Sequence, residues 1–205
     1  MIRYFIKKIF RCFRPVIIKG TGNRYICNSK VGRNFQVDVY GNNNVIQIGH
    51  DCILTNTQIQ VTGNNSHIII EDEVRFIGPC KIIVASDSTL HIKRNAGLRG
   101  VEFNLKGALI EIGELCMFSY GITIRNHDSH KIIDATDGTL LNPSKDVVLG
   151  NHVWVAQNVT ILKGCRIGDN SVIGFGSIVT KGCKSGSILA GCPAQVVKEN
   201  INWDY

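Results

Sequence analysis

An aliphatic residue stands at every sixth position through the C-terminal half of this chain: Leu149, Val155, Ile161, Ile167, Ile173 and Val179. Four places after each come Val153, Val159, Cys165, Ser171, Ser177 and Cys183, all small or β-branched. A helix repeats its apolar stripe about every 3.6 residues and a half-buried strand about every 2, so neither generates a period of six. A short strand followed by a turn does. Three such units close a triangular coil of 18 residues, the interval from Gly150 to Gly168. Each coil then sets its aliphatic residue on the one below, and the chain reads as an all-β parallel solenoid.

Upstream the same pattern loosens without vanishing. Gly41-Asn-Asn-Asn-Val-Ile-Gln-Ile48 is echoed by Gly63-Asn-Asn-Ser-His-Ile-Ile-Ile70, by Ser86-Asp-Ser-Thr-Leu-His-Ile92 and by Gly107-Ala-Leu-Ile-Glu-Ile112. The intervals from Ile48 are 22, 22 and 20 residues, one coil with extra residues at its corners. Gly and Asn suit those corners because both tolerate positive φ. Strict spacing returns at Ile112, Phe118, Ile124 and His130, and then fails from about 131 to 146. A segment excluded from the stack must project from it, and projecting loops concentrate binding and catalysis. The expected organisation is a lead-in over 1–35, a solenoid over 36–185 with a projecting loop at 127–146, and a C-terminal segment over 186–205.

The run Gly150-Asn-His-Val-Trp-Val-Ala156, then Val159-Thr-Ile-Leu-Lys-Gly164, then Ile167 to Lys181, ending Ala190-Gly-Cys-Pro-Ala194, resembles the hexapeptide-repeat acyltransferases. Within that group it is most similar to sugar O-acetyltransferases that modify surface polysaccharides and galactosides. The resemblance covers roughly residues 107 to 198. It implies a left-handed parallel β-helix, acetyl-coenzyme A as co-substrate, a sugar or polysaccharide acceptor from a capsule, O-antigen or exopolysaccharide, and a homotrimer with each site between two chains.

Charge is unevenly placed. Arg3, Lys7, Lys8, Arg11, Arg14, Lys19, Arg24, Lys30 and Arg33 precede the first carboxylate, Asp38, and account for the net charge of +7. The body is therefore close to neutral, which argues against a nucleic-acid surface. Residues 1–14 place Ile2, Ile6, Ile9 and Phe13 on one helical face with basic residues opposite, and Pro15 ends the pattern. Such a short amphipathic helix suits either peripheral contact with an anionic membrane or packing on the solenoid or a neighbouring subunit. Of eight cysteines, Cys52, Cys116, Cys165 and Cys183 occupy the small slot of hexapeptides, as interior apolar groups rather than disulfide partners. With no secretory leader and no apolar run of membrane-spanning length, a reducing cytoplasm is the expected compartment.

Attack by a sugar hydroxyl on a thioester needs a base that removes the hydroxyl proton, and histidine is the usual choice near neutral pH. His50, His67 and His91 sit in regular coil positions and read as surface residues. His127 and His130 lie where the loop departs. The resemblance implies a catalytic histidine at a set distance before a tryptophan, and His130 to Trp154 reproduces that interval at 24 residues. His130 is the expected base, with His127 as the competitor. Asp128 is the nearest carboxylate that could orient the ring, or else a turn residue. By the same resemblance Trp154 lines the acceptor site and Asn104 falls in an acceptor-contacting segment. Ala156, Phe175, Thr180, Lys181 and Lys198 match coenzyme-contacting positions, Phe175 being bulkier than the residue usual there. Arg125, beside the loop, suits an acidic sugar or a phosphate, or else reads as a surface residue. The oxyanion of the intermediate needs a donor, for which the backbone at Val155-Ala156 is a candidate. No metal is expected, since the histidines lack the spacing of metal-binding solenoids. An acetyltransferase for serine, an amino sugar or an antibiotic, and a non-catalytic scaffold, stay open as alternatives.

Overall fold

A computed structural model describes residues 15–204. Short strands wind into three parallel sheets that form the faces of a prism, the first and third of eight strands and the second of seven. The first face begins with Val16–Lys19 and Gln36–Tyr40 and ends with Ile178–Val179. The second runs from Arg24–Cys27 to Arg166–Ile167. The third runs from Ile53–Leu54 to Ile188–Gly191, where Ala194–Lys198 adds the sole antiparallel pairing between strands among the described residues. This is the expected three-sided β-helix. The expected N-terminal helix falls in residues 1–14, outside the described residues.

Sequence period becomes stacking. Ile48 pairs with Ile70, Ile70 with Ile92, Ile92 with Ile112, Ile112 with Leu149 and Leu149 with Ile167, each in register. Their side chains fill the prism interior with almost no solvent exposure. Burying each such Ile or Leu is worth about 1.5–3 kcal/mol, and neighbouring coils share that gain. Cys52, Cys116 and Cys165 are buried in the same interior, while Cys183 is only half-buried near the end of the stack. Burial pushes the Cys116 thiol up to about 12 and those of Cys80 and Cys165 up to about 11, so none is a thiolate near neutral pH.

The upstream corners hold the expected left-handed residues. Asn43 and Asn65 have φ of 57° and 58°, and a Cβ on Gly41 would stand 1.8 Å from the carbonyl oxygen of Gly63. Neighbouring corners are stitched by side chains, as where the Asn42 amide donates to Asn64 Oδ1 at 2.8 Å. The stack begins earlier than residue 36, because Val16–Lys19 already pairs with Val37 to Tyr40 and Arg24–Cys27 with Val45–Ile48. These two strands belong to one coil that carries few hexapeptide aliphatics, and backbone pairing rather than pattern reveals it.

One corner is interrupted. Between Ile122–Arg125 on the first face and Val147–Leu149 on the second, the chain leaves the prism and returns. Excursion and coil together set Ile124 37 residues before its partner Ile161, against 18 residues for the next coil from Ile161 to Val179.

Candidate active site

Buried Asn126 ends the last turn before the excursion, its Oδ1 accepting from the Lys106 amide at 2.9 Å and its own carbonyl from the Lys145 amide at 3.0 Å. The departing and returning ends are thereby held together. On the return, Asp146 Oδ1 accepts from the Leu109 amide at 3.1 Å. Beyond this clamp the loop forms a small hairpin: Leu141 N donates to Ile132 O and Asp134 N to Thr139 O, both at 2.8 Å. His130 is exposed and does not continue the stack of Ile112, Phe118 and Ile124, which are all buried.

A cleft of about 100 Å³ opens at the foot of the hairpin, lined among others by Lys106, Asp128, His130, Lys131 and Asn142. Asn142 organises it. Its Nδ2 donates to the His130 carbonyl and to Asp128 Oδ2, each at 2.8 Å, and its Oδ1 accepts from the Ile132 amide at 2.6 Å. Lys163, from the next coil, reaches Asp128 Oδ2 at 2.5 Å and the Asn142 carbonyl at 3.0 Å. The hydrogen bond from Lys163, with that from Asn142, holds the Asp128 carboxyl below the usual carboxylate range.

Asp128 therefore differs from its expected part. Its carboxylate pairs with Lys163 and Asn142 and not with an imidazole, because that amine and amide converge on the same oxygen. Its backbone makes the histidine contact instead: His127 Nδ1 donates to the Asp128 carbonyl at 3.0 Å. In the neutral ring that bond makes Nε2 of His127 the acceptor. Arg125, adjacent in chain, donates from Nη2 to Ser129 Oγ at 3.2 Å, and its buried Nε finds no protein acceptor among the described residues. Asn104 is the register partner of Arg125 on the first face and donates to Glu102 Oε1 at 2.7 Å. Asn104, Arg125, His127 and His130 thus gather at one corner of the prism. Thr180 and Lys181 lie at the same corner, the register of Ile161 with Val179 setting Lys181 one coil beyond Lys163.

The other expected residues lie elsewhere on the chain. Trp154 stands on the third face, 43% exposed, between Met117 and Val172. Ala156 and Gly174 stack at the corner between the third and first faces, where the Ala156 amide donates to the Ile173 carbonyl at 2.9 Å. That amide is spent in the coil ladder and is not a free oxyanion donor. Phe175 projects there at 69% exposure. Lys198, exposed, closes the antiparallel strand beside Ile188. No hydrogen bond, ion pair or ring contact joins His130 to Trp154 among the described residues. Two features escaped sequence reasoning. Lys163 lies 35 residues from the Asp128 it pairs with, and Trp203 stacks on His152 with ring centroids 4.1 Å apart.

Known proteins resemble this chain in sequence and in fold. Residues 146–181 match the model for the bacterial transferase hexapeptide (six repeats). A polysialic acid O-acetyltransferase of Neisseria meningitidis is 41% identical over 172 residues, 82% of this chain and 79% of that protein. The chain belongs to the hexapeptide-repeat O-acetyltransferases. Its coordinates superpose on the polysialic acid O-acetyltransferase OatWY with a TM-score of 0.89 at 36% identity, covering 94% of this chain and 92% of that one. The polysialic-acid-specific acetyltransferase NeuO gives 0.87 at 31% identity, over 93% and 88%. As a member of this family the chain is an acyltransferase.

Proposed function

We propose that this acyltransferase moves the acetyl group of acetyl-coenzyme A onto a hydroxyl of a surface polysaccharide or its precursor, with His130 as general base. The observation that carries the reading is the loop cleft, where an exposed imidazole on a clamped backbone faces open space rimmed by Lys106 and Lys131. His130 takes the proton as the sugar oxygen attacks the thioester carbonyl; the carbon–sulfur bond then breaks and the thiol leaves with a proton returned by the imidazolium. No cysteine is among the residues lining the cleft, which supports direct transfer without an acyl-enzyme. His127 is the second candidate for the base, favoured by its bond to the Asp128 carbonyl.

The basic rim and the unpartnered Arg125 Nε favour an acidic acceptor, in keeping with the polysialic acid in the names of the relatives. A broader groove of about 570 Å³ on the first face, lined by Gln58, Lys81, Glu102 and Thr123, extends toward the same strands and has room for neighbouring sugars of a polymer. The expected site residues occupy opposite edges of the first face: His130, Thr180 and Lys181 at one, Ala156 and Phe175 at the other. A ligand touching both edges fits a cleft between two chains packed side by side, which supports a homotrimer with shared sites. The exposed Ile132, Ile133, Leu140 and Leu141 of the hairpin suit a neighbouring chain. Acetyl-coenzyme A as donor supports a cytoplasmic reaction, and the pattern of residues 1–14 supports peripheral membrane contact by which a lipid-linked acceptor would be met.

The test uses two inactive variants, His130→Ala and Trp154→Ala. Co-refolded, they regain activity if each site takes His130 from one chain and Trp154 from the next. Mixed oligomers without activity refute the shared site.

A further inference from the structure

One side chain of the C-terminal segment, Trp203, has no part in the proposed reaction. After Ala194–Lys198 the chain turns back along the prism, with Ile201 N donating to the Gly186 carbonyl at 3.0 Å. Trp203 then lies almost parallel to the His152 imidazole, 12° between planes and 4.1 Å between centroids. Its Nε1 donates to the His152 carbonyl at 2.8 Å, which fixes the indole along its long axis. His152 is itself held by Asn170 Oδ1, 3.0 Å from its Nδ1. Trp203 also meets Trp154, with ring centroids 6.1 Å apart and planes inclined by 44°. That spacing and tilt fall in the attractive range for aromatic pairs.

Position in the coil gives the contact a direction. His152 precedes Trp154 and Ala156 follows it, so Trp203 braces Trp154 from the side away from the corner that holds Ala156 and Phe175. A partly exposed indole with one open side has several rotamers of similar energy. An indole backed by a hydrogen-bonded, stacked neighbour has fewer, and a site whose rotamers are locked keeps its reacting groups in line.

Resting on the proposed acceptor role of Trp154, we infer that Trp203 is a positioning residue: the C-terminal segment wedges its indole between His152 and Trp154 and sets the plane against which the acceptor sugar stacks. In this role Trp203 acts through its contacts with Trp154 and His152.

Trp154 and Trp203 are the two tryptophans of the chain, so Trp203→Phe and Trp203→Ala each leave Trp154 as the single indole fluorophore. Far-UV circular dichroism melts establish that both are folded; Asn202 and Asp204 on either side are exposed. Should the Ala variant fail to fold, Trp203→Leu takes its place, removing the aromatic ring but keeping bulk. Without any substrate, Trp154 emission in the Ala variant is red-shifted and more readily quenched by acrylamide than in the Phe variant. Equal quenching in the two overturns the inference whatever the substrate proves to be. With oligomers of polysialic acid as acceptor, the Ala variant raises the acceptor KM by up to about tenfold, Phe restores it to near wild type, and the coenzyme KM stays unchanged in both. An unaltered acceptor KM, or an equal rise in the coenzyme KM, contradicts the inference. Failure of the wild type to acetylate any acceptor refutes the proposed reaction instead, and the fluorescence comparison still decides whether Trp203 positions Trp154.

Discussion

Replacing Asn142 by Ala releases the active-site loop without touching the solenoid. The side chain makes three hydrogen bonds, to the His130 carbonyl, to Asp128 Oδ2 and from the Ile132 amide. Each is worth about 0.5–1.5 kcal/mol net. Asn142 is half-buried and water replaces part of what is lost, so the lower end applies and the three together stabilise the closed hairpin by about 1.5 kcal/mol. That is about tenfold in the loop-opening equilibrium. The reporters are the amides of Leu141 and Asp134, which donate across the hairpin to Ile132 and Thr139 and make no bond to Asn142 themselves. Hydrogen exchange by NMR should show both protected about tenfold less in the variant, while amides at Ile70 and Ile92 in the prism keep their protection. kcat/KM for acetyl transfer falls with them, since the His130 backbone is no longer held. Unchanged protection at Leu141 and Asp134 would show that the clamp of Asn126 and Asp146 alone fixes the loop, and the reasoning fails.

Three further outcomes follow from the same structure. Because the Asp128 carboxylate has a depressed pKa in the folded chain, its contribution is complete above its ordinary unfolded value of about 3.9 and is lost as pH falls through the lower folded value; a pH titration of Leu141 exchange should show the hairpin loosening only in that acidic window. Phe103→Ala empties a fully buried site between coils and should cost about 3–5 kcal/mol in urea unfolding, against a fraction of that for exposed Phe175→Ala. Exposed Cys192 should react with a thiol reagent in the folded protein, whereas Cys80, Cys116 and Cys165 wait for unfolding; rapid labelling of those three in buffer would contradict the packed interior.

What could be read from sequence divides along one physical line. Interactions that repeat with the coil were legible: Ile48, Ile70, Ile92 and Ile112 stack in the order their spacing predicted, and the failing period after His130 marked the projecting hairpin. Interactions that cross coils without repeating were not. Lys163 reaches Asp128 across an inserted loop, so proximity in sequence suggested an imidazole partner for a carboxylate that another coil had claimed. Trp203 packs on His152 from 51 residues away, a contact set by the path of the tail. The coil before residue 36 was missed because its Gly and Asn corners carry the fold with few aliphatic markers.

The central claim is that His130 is the base for acetyl transfer to a sugar hydroxyl. Its most direct test is release of free coenzyme A thiol from acetyl-coenzyme A, with a panel of sugars and polysaccharides, by the wild type, His130→Ala and His127→Ala. The account predicts acceptor-stimulated release that falls by about 10²–10⁴ in His130→Ala, with its melting temperature retained, and only modestly in His127→Ala. A full loss in His127→Ala with His130→Ala still active would move the base to His127, and acceptor-stimulated release that survives both substitutions would contradict histidine base catalysis at this loop.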